Sequence, residues 1–272
     1  MKSKLLIILT LATLLLLGSC SEYNKILKSN DYELKYTKAV EYFNNGDYVK
    51  SLPLFEELMS FYRMTDKGED VYYYYAQNQY ALKEYYMAAH YFKRFAKNYP
   101  NSPRAQECAF LAAVCKKELS PAYNLDQTET YAAIDEFQLF MDRYPNSGLV
   151  DSCNTSIKTL RQKLERKSYE TGKLYYKMEK YRSAIIAFNS TLKTYPDTDY
   201  KEEILFLIVK SNFLFAINSI ESKKMERFEE TIKSYHIFVD SFGSSKWLKQ
   251  AENYYQTSLK EIEKIKNNQA SN

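Results

Sequence analysis

Residues 172–196, GKLYYKMEKYRSAIIAFNSTLKTYP, decide the fold of this chain. In this stretch Ala184 is followed four positions later by Phe188, and Tyr181 precedes it by three positions. On an α-helix these residues form one apolar stripe with a dent at the small side chain, where a neighbouring helix can approach. Pro196 ends the helix, because the residue before a proline disfavours the α conformation. The stretch therefore predicts an amphipathic helix that packs against neighbours and stops at a defined residue.

The same arrangement returns along the chain, which indicates a repeat array. The junction Tyr-Pro-Asn-Ser at residues 99–102 recurs at 144–147, as Tyr-Pro-Asp-Thr at 195–198, and in degenerate form as Phe-Gly-Ser-Ser at 242–245. Each repeat carries a small residue with bulkier ones at i+4 and i+7, and the sets are Ser51/Phe55/Leu58, Ala88/Phe92/Phe95, Ala133/Phe137/Phe140, Ala184/Phe188/Thr191 and Thr231/Tyr235/Phe238. Eight residues after each junction Pro or Gly stand Cys108, Cys153, Ile204 and Ala251.

These residues resemble tetratricopeptide repeats (TPRs), most clearly in the fourth repeat, where the matching positions are Gly172, Tyr175, Tyr181, Ala184, Phe188 and Pro196. The third and fifth repeats depart from the pattern, and we expect the extra residues around 121–128 and 219–226 to lengthen the links between their helices. Successive junctions are 45, 51 and 47 residues apart, more than the ~34 residues of a standard repeat. The resemblance implies an all-α superhelical solenoid of about five TPR-like hairpins plus a C-terminal capping helix.

The ends of the chain are predicted from their composition. Lys2 and Lys4 precede an apolar run of 13 residues, and Leu17-Gly18-Ser19-Cys20 follows it. This is an export signal, too short to span a ~30 Å hydrocarbon core. Cysteine after small residues is typical of a bacterial lipoprotein, in which its sulfur is acylated, for example with palmitate. We therefore predict a signal peptide over 1–19, a lipidated tether over 20–30, the helical array over 31–266 and a frayed tail over 267–272.

Composition narrows the function. The chain has six Gly and six Pro but 27 Tyr and 15 Phe, which favours long helices joined by short connections. Without its signal peptide the net charge of +4 falls to about +2, which argues against nucleic acid as a partner. Three cysteines remain after lipidation, and we interpret Cys108, Cys115 and Cys153 as small buried residues. Cys108 and Cys115 lie roughly 10 Å apart along one helix, too far for a disulfide.

Catalytic chemistry is not indicated by the sequence. It has no Gly-rich phosphate loop, no GxSxG and no HExxH motif. His90 and His236 stand in helical stretches without a second histidine or cysteine at ligand spacing. We therefore predict no enzyme, no metal site and no cofactor.

Aromatic residues on the first helix of each hairpin form the candidate binding site. They follow the spacing i, i+4, i+7 and so share one helix face: Tyr36, Val40 and Phe43; Tyr73, Gln77 and Tyr80; Tyr169, Lys173 and Tyr176. Tyrosine combines a flat apolar body with a polar tip, which suits peptide recognition. Two interpretations stay open, a peptide-binding groove or rings that pack against neighbouring helices. We expect few charges there, and hence an apolar or aromatic ligand.

The lipoprotein motif, a start at Tyr36-Thr37-Lys38-Ala39, five hairpins and the junctions together resemble the BamD family of the outer-membrane β-barrel assembly machinery. The resemblance covers nearly the whole chain. It implies a non-enzymatic scaffold on the periplasmic side of the outer membrane, anchored in the inner leaflet through Cys20. Its implied partners are a BamA-like barrel subunit at the C-terminal repeats, unfolded β-barrel precursors at the N-terminal repeats, and other accessory lipoproteins.

Two other hypotheses stay open on the sequence alone. One is a lipoprotein scaffold of another envelope machine, either a pilotin for secretin assembly or a cell-division coordinator. The other is an enzyme or a glycan-binding lipoprotein.

Overall fold

The structure is a computed structural model that describes residues 22–63 and 65–270. The described part is all-α. Its helices are α1 (Tyr32–Asn44), α2 (Tyr48–Phe61), α3 (Lys67–Ala81), α4 (Tyr85–Asn98), α5 (Ala105–Glu118), α6 (Thr128–Arg143), α7 (Val150–Lys177), α8 (Tyr181–Thr194), α9 (Lys201–Ile217), α10 (Glu221–Phe242) and α11 (Leu248–Ala270). Residues 22–27 are helical as well.

The described helices fall into two compact units. Among the described residues, unit 1 comprises 22–121 and 125–160, and unit 2 comprises 122–124 and 161–270. In unit 1 consecutive helices from α1 to α6 pack on one another, and in unit 2 the same holds from α8 to α11. The helices form five hairpins, α1–α2 to α9–α10, followed by α11. The predicted fold class, TPR-like hairpins with a C-terminal helix, is confirmed.

The small-residue stripe forms the core of each hairpin, as its spacing predicts. The small residues are all completely buried: Ser51, Ala88, Ala133, Ala184 and Thr231. Phe55, Phe92, Phe137 and Phe188, four residues later, are completely buried too. Removing such a ring from water stabilises the fold by about 2–3 kcal/mol.

Three hairpins turn through the same left-handed cap. Gly46 has φ +77°, and the backbone N–H of Asp47 donates to the Tyr42 carbonyl at 2.8 Å. This six-to-one bond is typical of a Schellman motif, in which glycine is favoured. The second and fourth hairpins repeat it with Lys83 at φ 62° and Glu179 at φ 58°, although side chains are strained in this conformation.

The connections differ in part from the sequence prediction. In the third hairpin α5 ends at Glu118 and α6 begins at Thr128, so the long link is confirmed. The expected long link in the fifth hairpin is wrong, because α9 ends at Ile217 and α10 begins at Glu221. The extra residues instead lengthen α10 to 22 residues, since apolar side chains such as Phe228 continue its buried stripe.

Residues 22–27 and 267–270, at the two ends of the described range, are more regular than the sequence suggested. Residues 22–27 were expected to belong to a tether, but they are helical, and Ile26 is only 5% exposed within the core of the first hairpin. A frayed tail was expected from residue 267, yet α11 continues to Ala270. Residues 267–270 are Asn-Asn-Gln-Ala. Gln and Ala favour helix, and extending an existing helix by one turn needs no new nucleus. Cys20 lies outside the described residues.

The three cysteines of the described part are free thiols, each completely buried. Burial raises the pKa of Cys108 and of Cys115 to about 12, so both stay protonated at neutral pH. Their interpretation as small core residues is confirmed.

Candidate functional site

In unit 1 the predicted aromatic residues lie on first helices α1 and α3. We call Tyr36, Phe43, Tyr73, Gln77 and Tyr80 the tyrosine face. All five are half-buried, with part of each side chain accessible. The four rings among them pack against the cores of the first two hairpins. The rings of this face therefore pack against the fold on one side and remain accessible to a ligand on the other. Both interpretations, internal packing and a peptide-binding groove, are compatible with this burial.

Tyr73 is at the centre of this face. Its hydroxyl accepts a hydrogen bond from the Gln77 amide at 2.9 Å and donates one to the Glu107 carboxylate at 3.2 Å. The guanidinium of Arg104 lies 4.6 Å from the centre of its ring and pairs with Asp70. Burial, followed by the Glu107 charge, raises the pKa of Tyr73, so the phenol is neutral. The ring is thus held in one orientation by groups from α3 and α5.

Tyr36 has a similar environment one hairpin earlier. The Lys67 ammonium lies 5.3 Å from the centre of its ring, and Tyr62 meets it edge-on at 6.3 Å. Lys67 also pairs with Glu33, which accepts a hydrogen bond from the Tyr62 hydroxyl at 2.7 Å. Burial, and then the Asp70 charge, raises the pKa of Tyr36.

Phe43 and Tyr80 are more involved in internal packing. The Phe43 ring packs edge-to-face with the rings of Tyr48 and Tyr74, at 5.4 and 5.1 Å between ring centres. The Tyr80 ring packs edge-to-face with the rings of Tyr85 and Phe92, at 5.8 and 6.2 Å between ring centres. Such edge-to-face pairs fix ring orientation and contribute about 1 kcal/mol each beyond burial.

Charge on the tyrosine face differs from the expectation. Instead of being sparse, it is paired: Lys67 and Arg104 lie beside the rings and each pairs with a carboxylate, Glu33 and Asp70 respectively. Sequence reasoning missed both cations. A signal was present, because Lys67 and Arg104 each stand four residues before a buried apolar residue, Val71 and Cys108.

Unit 2 carries the third predicted set, on α7. Tyr169 is only 3% exposed, and its ring stacks on that of Tyr200 at 4.1 Å with an angle of 7°. Burial, and then a hydrogen bond with Glu203, raises its pKa. The Lys173 ammonium lies 4.7 Å from the centre of the same ring and 3.7 Å from Glu203. The Tyr169 side chain is therefore part of the packed interior of unit 2 and has almost no surface accessible to a ligand.

Tyr176 is half-buried at the end of the same stripe. It contacts Tyr181 at 6.1 Å, and the Lys210 ammonium lies 5.3 Å from its ring centre. A hydrogen bond with Tyr176 raises the pKa of Lys210. Lys173 and Tyr176 thus remain partly accessible in unit 2, whereas Tyr169 does not.

One position links these observations across the repeats. We call it the slot residue: it stands four positions before the buried residue near the start of the helix that follows each hairpin, which is Val71, Cys108, Cys153, Ile204 or Ala251. The slot residue is accordingly Lys67, Arg104, Leu149, Tyr200 or Trp247. In unit 1 the slot cations Lys67 and Arg104 lie beside the rings of Tyr36 and Tyr73. In unit 2 the slot is aromatic: Tyr200 stacks on Tyr169, and Trp247 stacks on Phe206 at 5.4 Å.

Residues 22–63 and 65–270 contain no group of three or more His, Cys, Asp or Glu that could hold a metal ion. Within the same range no helix has the length and apolarity needed to cross a bilayer.

Comparison with known proteins gives the family. The model of the YfiO family, described as outer membrane lipoprotein, matches residues 29–228, which is most of the chain. The chain belongs to the YfiO family. The match begins just before α1 and ends within α10, so it includes all five hairpins in whole or part.

Curated relatives agree. The chain is 24% identical over 212 residues to the outer membrane protein assembly factor BamD of Caulobacter vibrioides, covering 76% of this chain and 68% of the relative. It is 25% identical over 257 residues to a putative BamD of Aquifex aeolicus, covering 93% and 84%. It is 21% identical over 215 residues to the BamD of Pasteurella multocida, covering 75% and 82%. The BamD-type resemblance is confirmed, and YfiO membership makes this an outer-membrane lipoprotein.

Proposed function

We propose that the protein is a lipid-anchored scaffold that receives unfolded β-barrel precursors on the tyrosine face of unit 1. Family membership makes it a non-enzymatic outer membrane protein assembly factor that works with the assembly machinery. The finer parts of the proposal are the ligand, the partner at each unit and the anchor.

The tyrosine face supports the first of these parts. An extended strand needs apolar contact for its side chains and hydrogen-bond groups for its exposed backbone. Tyr36 and Tyr73 offer ring surface, while the Tyr73 hydroxyl and the Gln77 amide offer polar atoms. The observation that carries the proposal is that both rings keep accessible surface while slot cations hold them in place.

The paired charges restrict the class of ligand that the tyrosine face can bind. Because Lys67 and Arg104 are neutralised by Glu33 and Asp70, the face has no excess of positive charge that would select a polyanion. The ligand class that fits is an extended peptide rich in apolar residues and ending in an aromatic side chain. The C-terminal strand of a barrel precursor has this chemistry.

Unit 2 is the proposed site for a BamA-like barrel subunit. Its α7 exposes Leu174 by 56% and Met178 by 55%, one helical turn apart, so they form an apolar contact on one face. Ile186 on α8 is 62% exposed. Large exposed apolar side chains in neighbouring positions are typical of protein interfaces.

The peptide proposal is tested by binding of a fluorescent nine-residue strand peptide with alternating apolar residues and a C-terminal Phe. Tyr73→Ala with Tyr80→Ala should raise its Kd at least tenfold, since aromatic anchors are worth about 2 kcal/mol each. The matched control is Tyr86→Ala with Tyr131→Ala, because these tyrosines are 67% and 56% exposed on α4 and α6 of the same unit. An unchanged Kd in the first variant, or an equal loss in both, would contradict the proposal.

Two further experiments test anchor and partner. Cys20→Ala should release the folded protein from membranes, because several acyl chains are needed for stable anchoring. Retention after a high-salt wash would contradict the anchor. Pull-down from solubilised envelopes should recover a barrel protein with periplasmic repeats, and recovery of a secretin instead would favour the pilotin hypothesis.

A further inference from the structure

The segment between the anchor and the first hairpin is docked on the fold. Ile26 is 5% exposed and belongs to the core of the first hairpin together with Leu54 and Leu58. The Tyr23 hydroxyl donates a hydrogen bond to the Lys50 carbonyl at 3.2 Å, and its ring meets Tyr42 edge-on at 5.7 Å. Helix 22–27 is thus held by the apolar packing of Ile26, by the Tyr23 hydrogen bond and by the Tyr23–Tyr42 ring contact.

These contacts determine where the chain enters the fold. Tyr42 and Lys50 flank the turn at residues 45–47 that joins α1 to α2, whereas Tyr32 begins α1 at its opposite end. Tyr23 therefore lies at the turn end of the first hairpin. Cys20 precedes Glu22, the first described residue, by two positions, which span at most about 7 Å. An acyl chain on Cys20 would consequently start close to this turn.

We propose that the turn end of the first hairpin, residues 44–49, rests on the phospholipid headgroups of the membrane that carries Cys20. This inference rests on the proposed lipid anchor. Helix 22–27 connects the anchor to the first hairpin and is packed against it. The anchor therefore holds the turn end of this hairpin at the bilayer surface. Phe61 lies twelve residues after Val49 on α2, which places it ~18 Å farther along the helix axis.

The side chains of the turn end fit a headgroup surface. Val49 is 72% exposed and can enter the interface. Lys50 pairs with Asp47 at 2.6 Å, and Lys38 pairs with Glu41 at 2.8 Å. Helix 22–27 adds one exposed charge of each sign, Glu22 and Lys25, so the charges at this end largely cancel. A neutral surface gains little from anionic lipid, and exposed ion pairs are weak. The contact is therefore held by the anchor and the docked helix, and it should be nearly independent of salt.

The experiment measures depth at both ends of α2. Val49→Cys and Phe61→Cys are each labelled with a nitrobenzoxadiazole dye in the acylated full chain, since the native thiols are buried. The proteins are bound to vesicles of phosphatidylethanolamine and phosphatidylglycerol that contain a headgroup spin label. We expect at least threefold stronger quenching at position 49 than at 61, unchanged between 50 and 500 mM salt. Equal quenching, or stronger quenching at 61, would overturn the proposal.

A second variant separates the docked helix from the anchor. Ile26→Asp should undock residues 22–27 while acylation persists, so vesicle flotation stays intact and the difference between positions 49 and 61 falls below 1.5-fold. Tyr23→Phe, which removes only the hydroxyl, should keep most of the difference. If Ile26→Asp preserves the full difference, the docked helix does not orient the hairpin. If the unsubstituted protein fails to float with vesicles, the anchor itself is wrong, and this inference falls with it.

Discussion

In unit 1 the ring of Tyr73 has a guanidinium beside it, that of Arg104, whereas in unit 2 the ring of Tyr169 has another ring against it, that of Tyr200. The two tyrosines occupy the same repeat position, and so do Arg104 and Tyr200. Arginine leaves Tyr73 half-buried and hydrogen-bonded at its tip, while Tyr200 stacks at 4.1 Å and leaves Tyr169 only 3% exposed.

The comparison shows how the same repeat position can place a tyrosine ring either at the surface or in the core. A slot cation keeps its charged head in water, and the ring beside it stays near solvent unless a second ring covers it. Tyr169 also has a cation nearby, the Lys173 ammonium 4.7 Å from its ring centre, but the Tyr200 ring stacks on it and buries it. An aromatic slot residue is instead stabilised when it is buried, and the ring that stacks on it is buried with it. The residue that decides between these outcomes lies in the next hairpin, about 31 positions after the ring, and not in the helix that carries the ring.

The largest expected effect comes from removing the two rings themselves. Tyr169→Ala should lower the free energy of unfolding by about 3 kcal/mol, because it deletes a fully packed ring and leaves a cavity. Tyr73→Ala should cost only about 1 kcal/mol, because that ring is half-exposed. Far-ultraviolet circular dichroism during urea unfolding measures both variants, and the fluorescence of Trp247, the single tryptophan, which is stacked in unit 2, reports separately on Tyr169→Ala. Equal costs in the two variants would erase the distinction between the units.

How far the sequence foresaw this contrast depends on which residues are considered. The junctions, the stripe and the five hairpins were predictable, because each is coded by neighbours on one helix. The i, i+4, i+7 spacing predicted that each aromatic set shares one face of its own helix, with Tyr73 on α3 and Tyr169 on α7. Their different burial was not predictable from that spacing, since it depends on Arg104 and Tyr200 and on contacts between hairpins.

Helix 22–27 and the long α10 illustrate the same limit. Residues 22–27 were expected to form a tether, and the residues around 219–226 were expected to lengthen a link. Both stretches lead into helical packing instead, because Ile26 and Phe228 are buried by side chains from elsewhere in their units. Tertiary packing of a single apolar residue outweighed local composition in each case.

A second test concerns α7 and α3, the helices that carry Tyr169 and Tyr73. Gly172 on α7 has no room for a side chain, because an added Cβ would lie 2.5 Å from two ring atoms of Phe188. Its counterpart on α3 is Ala76, which fits completely buried. Gly172→Ala should therefore destabilise unit 2 by about 2 kcal/mol through overpacking, although alanine favours helix.

The reverse change, Ala76→Gly, is the control and should cost about 1 kcal/mol. Adding Phe188→Leu to Gly172→Ala should recover part of the loss, as read from Trp247 fluorescence. A neutral Gly172→Ala would mean that α7 and α8 separate easily, and that Tyr169 is buried by the stack with Tyr200 alone.

The smallest expected effect tests what the two units share. Lys83 in unit 1 and Glu179 in unit 2 adopt the left-handed conformation that Gly46 occupies in the first hairpin, and both side chains are exposed. Lys83→Gly and Glu179→Gly should each stabilise the chain by about 0.5–1 kcal/mol, because relief of strain exceeds the extra entropy of the unfolded glycine. Gly46→Ala should destabilise it by about 1 kcal/mol. Urea midpoints measure all three variants, and a gain in only one unit would show that the caps, like the slots, have diverged.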